Sequence, residues 1–572
     1  MLSHAVAMTL TDAAIVSFAQ RWAEADPDPH TRTEALQLLA SGSADALRDC
    51  FGTRLTFGTA GLRGALGCGP NRMNRLVVRQ SAAGLGRRLL AEPGLAARGV
   101  VIGFDARTNS DVFASDSARV LAALGIRVQL FRHVVPTPVL AFAVTDRGAA
   151  AGVQVTASHN PPQDNGYKVY WGDGPQIVSP LDEQIAAEID AVVMEGLDPT
   201  MAEESSPRIG FLDADLIDRY HAGVALLDRH RADDVARQKI RIVYTALHGV
   251  GGADLLRVLG DAGFTEITPV SEQFQPDPSF PTVAFPNPEE PGALDLAFAE
   301  ARSVNADLII ANDPDADRLS LAVPDPESST QWRQLRGDEV GWLLADHLLT
   351  ATADRGPNRL VATTIVSSSL LETMAARHGV QYSETLTGFK WLARNVLAHP
   401  ELEHVLSYEE ALGYSVGSLV LDKDGLSAAL VAADLAAALL AEGSSLQQRL
   451  SEIEAAYGRY DTGQQSIRFD GTDASEKMGA LMDRLRSKIP LSVCGVAVTQ
   501  VRDMAGEVPP ADVVMLKLGS LGRITVRPSG TEPKCKIYYE VVSRGAAGST
   551  SSEVSTRDLR DFMSSLLGVA SD

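Results

Sequence analysis

The chain has 572 residues, 45% hydrophobic and 22% charged, with 51 Lys and Arg against 73 Asp and Glu and a formal net charge of −22. That balance excludes a chain disordered throughout and supplies enough apolar side chains for several cores, roughly four at about 150 residues each. The acidic excess argues against a nucleic-acid or anionic-membrane surface, so an anionic ligand needs a local basic cluster.

The N-terminal run MLSHAVAMTLTDAAIV lacks basic residues at its start and is interrupted by Asp12, which argues against a signal peptide, and the segment up to Asp49 reads as packing helices. A Gly-rich loop, GTAGLRG, follows at 58–64 and contains Arg63. Strand-like runs then alternate with segments of helical period: VVIGF at 100–104, KIRIVYTAL at 239–247, ADLIIAN at 306–312 and RLVATTIV at 359–366. Such alternation predicts βα units in parallel or mixed sheets, hence an α/β fold. The near-miss dinucleotide fingerprint at 249–252 has Asp254 where a third glycine belongs and reads as a tight βα turn. The apolar run 426–440 carries Asp434 and reads as a buried Ala/Leu-rich helix rather than a membrane span. Polar or Pro-rich breaks at 195–207, 324–334 and 442–447 divide the chain into four pieces, 1–205, 206–325, 326–445 and 446–572. The last ends in GRITVRPSGTEPKCKIYYEVV, an expected antiparallel hairpin of a smaller α+β domain, then a Gly/Ser-rich tail at 545–552 and a closing helix. Cys50, Cys68, Cys494 and Cys535 are far apart and form no C-x-x-C pair, which excludes a zinc finger or disulfide scaffold and fits a reducing, cytoplasmic setting.

Four constellations carry chemistry. TASHN at 156–160 ends a strand, with Ser158 beside His159 and ten residues before Lys168. It suits a hydroxyl that accepts or donates a group, and equally an ordinary polar turn; the missing G-x-S-x-G disfavours acyl transfer. NDPDADR at 312–318 places Asp313, Asp315 and Asp317 at alternate positions, where their repulsion calls for a hard divalent cation such as Mg2+, while Arg318 and Pro324 exclude an EF-hand. Arg527, Ser529, Gly530 and Thr531 form a cradle for a phosphate dianion, and no Walker A sequence occurs. LTGFK at 386–390 and YEEALG at 408–413 are individually weak.

In this order and spacing, TASHN, DPDADR, EEALG and RPSGT resemble the α-D-phosphohexomutase superfamily, and GTAGLRG, YTALHGVG, LTGFK and RPSGTEPK make the phosphoglucomutase-2-like branch the nearest. The resemblance implies four domains around a central cleft: a phosphoserine domain with a helical extension, a metal-loop domain and a sugar-loop domain, all α/β/α, then a small α+β phosphate-binding domain. It further implies that Ser158 is phosphorylated and joins Asp313, Asp315 and Asp317 in holding one Mg2+. Arg63 and Arg318 would steady the transferring group, and Lys168, His159 and Lys423 would act as acid or base. Glu409, Thr387, Gly388 and Lys390 would hold the sugar, and Arg527, Ser529, Gly530 and Thr531 the phosphate that is not reacting. The expected activity is interconversion of glucose (and mannose) 1- and 6-phosphates through a sugar bisphosphate, with a glucose 1,6-bisphosphate-type activator. Ala411 stands where many members have serine, and loss of such a hydroxyl contact is worth about 1 kcal/mol, which keeps phosphopentomutase and glucose-1,6-bisphosphate synthase activity open. A sugar-phosphate sensor and a metal-dependent phosphatase are the readings from other classes. The expected partners are small sugar phosphates, not nucleic acid or membrane, and monomer and homodimer suit the sequence equally.

Overall fold

The computed structural model describes residues 12–58, 61–212, 214–228, 231–469, 474–493, 496–529 and 534–543. The expected tail and closing helix lie outside these residues, as do Gly530 and Thr531. The chain divides into two compact units, one of residues 1–335 with 413–441, the other of 336–412 with 442–572.

In the first unit, a six-stranded sheet has the order Leu62–Ala65, Asp164–Trp171, Ala151–Val155, Val100–Phe104, Val128–Phe131, Ile209–Leu212. Its last four strands run parallel, and the first two are antiparallel additions at one edge. Val100–Phe104 and Ala151–Val155 are buried at every position, as expected of parallel strands covered on both faces. The covering helices include Arg75–Leu90, Ser110–Ala123, Thr137–Asp146 and Leu181–Glu195. Three N-terminal helices, Asp12–Ala25, Pro29–Ser41 and Ala44–Phe51, add Trp22 and Phe51 to the same core, where the two rings meet edge to face at 6.3 Å.

A second sheet of this unit has the order Trp332–Gln334, Ser320–Pro324, Leu308–Ala311, Ile242–Thr245, Ile267–Pro269. The Pro-rich stretch 324–334, read from sequence as a break, also closes a hairpin: Ser320–Pro324 pairs antiparallel with Trp332–Gln334. Pro324 is tolerated because it sits at the strand end. The helix Gly425–Ala441 is buried along nearly its whole length. Its Asp434 carboxylate accepts from the Arg231 and Ala232 amides at 2.9 and 3.0 Å and from Arg237 at 2.7 Å, so a buried charge is fully answered.

The second unit has parallel strands Gln381–Thr385, Arg359–Thr364 and Glu403–Glu409, followed in the chain by a five-stranded antiparallel sheet in the order Arg459–Arg468, Lys534–Ser543, Gly522–Pro528, Val514–Lys517, Gln500–Asp503. The expected hairpin is the pair Gly522–Pro528 and Lys534–Ser543. The chain is thus α/β, with mixed sheets covered by helices and a smaller α+β C-terminal portion. Among the described residues, no single helix is long and apolar enough to cross a membrane.

Asp338 ties the two parts of this unit together. One carboxylate oxygen accepts from the Ser368 amide at 2.8 Å and the other from the Thr462 hydroxyl at 2.8 Å. Burial, reinforced by Glu410 and Glu540, pushes this carboxyl up to about 7. The folded form therefore holds the proton between pH 4 and 7 while the unfolded chain has lost it, so stability is lost as pH rises through that window. Asp338→Asn should be more stable than the wild type by roughly 1–3 kcal/mol at pH 8, an advantage that vanishes near pH 4. Urea denaturation at the two pH values checks this.

Candidate active site

The chain leaves the buried strand Ala151–Val155 into Thr156-Ala157-Ser158-His159, where Ser158 adopts a left-handed φ of 52°. Such a conformation is costly for a residue other than glycine and persists only when its surroundings fix it. Here the Ser158 amide donates to the Thr156 hydroxyl oxygen at 2.9 Å, and that hydroxyl donates to Asp105 at 2.6 Å. Asp105, at the end of the neighbouring strand Val100–Phe104, also accepts from the Ser110 hydroxyl at 2.7 Å. The turn therefore aims Ser158 Oγ at Asp313 Oδ2, 2.7 Å away.

Asp313, Asp315 and Asp317 follow the strand Leu308–Ala311, fully buried, with one carboxylate oxygen of each within 4.8 Å of the others. Thr137 donates its amide to the Asp315 carbonyl at 2.9 Å and its hydroxyl to Oδ2 at 2.6 Å. Lys168 Nζ lies 2.7 Å from Asp315 Oδ2 and 2.9 Å from Asp317 Oδ2, and Lys423 Nζ 3.4 Å from the latter. The Arg318 amide donates to Asp313 Oδ1 at 3.0 Å. Burial raises Asp313, with Asp315 and Asp317 adding to it, so its carboxyl stands well above the usual range. For Asp317 burial is outweighed by Lys168, Lys423 and Arg318, which hold it low. Burial likewise disfavours the Lys168 cation, but Asp315 and Asp317 more than restore it.

Asp315 Oδ1 and Asp317 Oδ1 are buried without a hydrogen-bond partner. Hard oxygen donors at this spacing, left unanswered in a buried site, fit a divalent cation such as Mg2+. His159 Nδ1 is 3.2 Å from Ser158 Oγ, and burial together with Arg318 and Arg63 pushes its pKa well down, leaving a neutral ring. Arg63 donates to Asn160 Oδ1 at 3.0 Å. In the loop that carries it, Gly61 has φ 75°, and a Cβ there would stand 1.8 Å from the Tyr167 carbonyl oxygen.

The first unit thus brings together Arg63, Ser158, His159, Lys168, Asp313, Asp315, Asp317, Arg318 and Lys423. Sequence reasoning missed Asp105 and Thr137, which bind these residues from distant segments. It also missed that Thr245-Ala246-Leu247-His248 repeats Thr156-Ala157-Ser158-His159. Leu247 has φ 47° and its amide donates to the Thr245 hydroxyl oxygen at 3.1 Å, the same turn with leucine in place of the serine. The repeated T-A-x-H pattern is the signal that could have revealed it. This second turn braces the aspartate loop: Val250 donates to the Pro314 carbonyl at 2.8 Å, and Gly249 packs against Pro314.

The second unit holds the other candidates. Thr387 and Gly388 precede the helix Phe389–Ala398, which carries Lys390 in its first turn, and Glu409 ends the strand Glu403–Glu409. Arg527, at the end of Gly522–Pro528, hydrogen-bonds the Thr387 hydroxyl, and the Ser529 amide donates to the Lys534 carbonyl at 2.8 Å, closing the hairpin loop. The neighbouring Glu410 accepts from the Ser367 hydroxyl at 2.9 Å. Thr387 and Arg527 are therefore brought together, and both they and Lys390, Glu409 and Ser529 are partly exposed.

Sequence profiles of four domain families match the chain in succession: phosphoglucomutase/phosphomannomutase alpha/beta/alpha domain I over 54–194, domain II over 218–327, domain III over 336–457 and the C-terminal domain over 498–556. A probable phosphomannomutase of Haemophilus influenzae is 43% identical over 82% of this chain and 93% of its own length. The human phosphopentomutase is 35% identical over 97% of this chain and 95% of its own. In fold, the crystal structure of a phosphoglucomutase/phosphomannomutase family protein from Burkholderia thailandensis superposes with a TM-score of 0.67 at 19% identity, covering 90% of this chain and 96% of that one.

A Cβ at position 249 would stand 2.4 Å from Pro314 Cα and 2.5 Å from its carbonyl oxygen, both backbone atoms that cannot swing away. Gly249→Ala should shift the aspartate loop and weaken Mg2+ binding about tenfold, read by calorimetric titration, a change of about 1.4 kcal/mol.

Proposed function

Because this chain belongs to the phosphoglucomutase/phosphomannomutase family of phosphohexomutase-type isomerases, we propose that it interconverts the 1- and 6-phosphates of glucose and of mannose through a phosphorylated Ser158. The observation that carries this reading is Ser158 Oγ held 2.7 Å from Asp313 by a strained left-handed turn, beside three buried aspartates. A hydroxyl held there, beside the carboxylates, suits a group carrier.

Phosphoserine 158 gives its phosphoryl group to the free hydroxyl of the sugar phosphate, forming a sugar bisphosphate whose other phosphate then returns to Ser158. Such transfer demands positioning and charge neutralisation more than covalent assistance. Asp313, Asp315 and Asp317 would hold Mg2+ together with the Ser158 oxygen, and the ion supplies neutralisation of the charge on the transferring group. Arg63 and Arg318 steady that group from the protein side. His159, kept neutral 3.2 Å from Ser158 Oγ, and the cationic Lys168, paired with Asp315 and Asp317, are the candidate proton acceptor and donor, with Lys423 a further candidate beside Asp317.

Glu409, Thr387, Gly388 and Lys390 orient the sugar, and Arg527, Ser529, Gly530 and Thr531 grip the phosphate that is not reacting. In this reading the four domains are the segments 1–205, 206–325, 326–445 and 446–572, each contributing one loop. A glucose 1,6-bisphosphate-type activator phosphorylates Ser158 at the start. A second reading, a phosphopentomutase, is favoured by Ala411, which offers the sugar no hydroxyl, and by the phosphopentomutase name of the human relative. A glucose-1,6-bisphosphate synthase is the related alternative.

Ser158→Ala should lower turnover of glucose 1-phosphate by more than about a thousandfold, and chelation of Mg2+ should abolish the wild-type rate until the ion is restored. A coupled assay across hexose and pentose phosphates decides the substrate: a kcat/KM higher for glucose 1-phosphate than for ribose 1-phosphate supports the first reading, and the reverse supports the second. Release of inorganic phosphate in place of an isomerised sugar phosphate would mean a phosphatase.

A further inference from the structure

The turn that presents Ser158 needs more than its own hydrogen bonds. Four backbone carbonyls of the segment 158–164 converge on one side chain. Arg107 Nη2 donates to the carbonyls of Ser158 at 2.6 Å and Asn160 at 2.5 Å, and Nη1 to those of Pro161 at 2.8 Å and Asp164 at 3.0 Å. The guanidinium is buried, its side chain 1% exposed, and its Nε lies 3.5 Å from Asp105 Oδ2. Its own amide donates to the other oxygen of Asp105 at 3.0 Å. The ring of Phe280 covers the guanidinium at 5.0 Å.

This arrangement has a specific consequence. Asp105 fixes the Thr156 hydroxyl that receives the Ser158 amide, and Arg107 fixes the carbonyls on the other side of the same residue. The left-handed Ser158 is thus held at both of its peptide groups by one Asp-x-Arg pair at the end of the strand Val100–Phe104. Only a planar fork with several N–H donors can reach four carbonyls at once; an ammonium has three donors on a flexible stem. Phe280 also meets the ring of His248 edge to face at 6.5 Å, in the turn that braces Pro314 of the aspartate loop. The cation therefore sits between the serine turn and the support of the carboxylates.

We propose that Arg107 is the positioning residue that locks the phosphoryl-carrying turn, so that Ser158 Oγ returns to one place each time it gains and loses its group. The proposal rests on the mutase reading of Ser158. Arg107 touches no substrate in it; it acts through the backbone. A displacement of about 1 Å in a reacting atom costs on the order of a hundredfold in rate.

The test compares full-length wild type with Arg107→Met and Arg107→Lys, the second serving if the first does not fold. Arg98→Met is the control, because Arg98 also gathers three carbonyls, of Gly148, Ala149 and Gly172, away from the site. Amide hydrogen exchange should quicken at least about tenfold across 158–166 in the Arg107 variants, while Val100–Phe104 and Ala151–Val155 stay protected. Turnover of glucose 1-phosphate should fall about a hundredfold in kcat, with KM within about threefold. Arg98→Met should lower the melting temperature and leave kcat within about twofold. Unchanged exchange in 158–166, or a kcat within about threefold of wild type, overturns the proposal. A wild type that isomerises no sugar phosphate sinks the mutase reading instead; the exchange pattern then decides by itself whether Arg107 orders the turn.

Discussion

Asp313, Asp315 and Asp317 bring carboxylate oxygens within 4.8 Å of one another in full burial, and side chains from several distant segments meet part of that charge. Lys168 reaches them from the antiparallel strand Asp164–Trp171, Lys423 from the segment ahead of the helix Gly425–Ala441, and Thr137 from the start of Thr137–Asp146. These elements belong to different parts of the sequence, so the aspartate loop acts as a node that fixes their mutual positions. Ser158 is one more donor at that node, and its chemistry follows from being the donor that can also carry a group.

The turn bearing Ser158 has a twin without a nucleophile. Leu247 repeats its left-handed conformation and its amide-to-threonine hydrogen bond, but Gln273 rather than a carboxylate receives the threonine hydroxyl, at 2.7 Å. One copy of the same local geometry presents a reactive oxygen, and the other buttresses Pro314 beneath the carboxylates. The difference between them lies in what surrounds the threonine.

Much of this was legible in the sequence, for reasons of short range. VVIGF is a strand at the positions read from its apolar run, and the alternating aspartates, the βα turn after Thr245 and the C-terminal hairpin all follow from local pattern. What escaped has its cause in tertiary structure. Nothing near Asp338 in sequence says that it joins Ser368 to Thr462, and Thr137 follows a proline as an ordinary helix start until Asp315 is placed against it. Arg107 looks like any charged residue in a loop, because its partners are carbonyls, which leave no trace in residue type. Trp332–Gln334 was hidden by Pro324 and the polar turn beyond it.

The chain crosses from one compact unit to the other three times, after residues 335, 412 and 441. Neither unit is therefore a continuous stretch that a ribosome could deliver whole. Arg237 emerges 197 residues before Asp434, which with Asp228 answers its buried charge, and until the helix Gly425–Ala441 is synthesised the first unit lacks the strip that seals it. Co-translational completion of the first unit must wait until about three quarters of the message has been read.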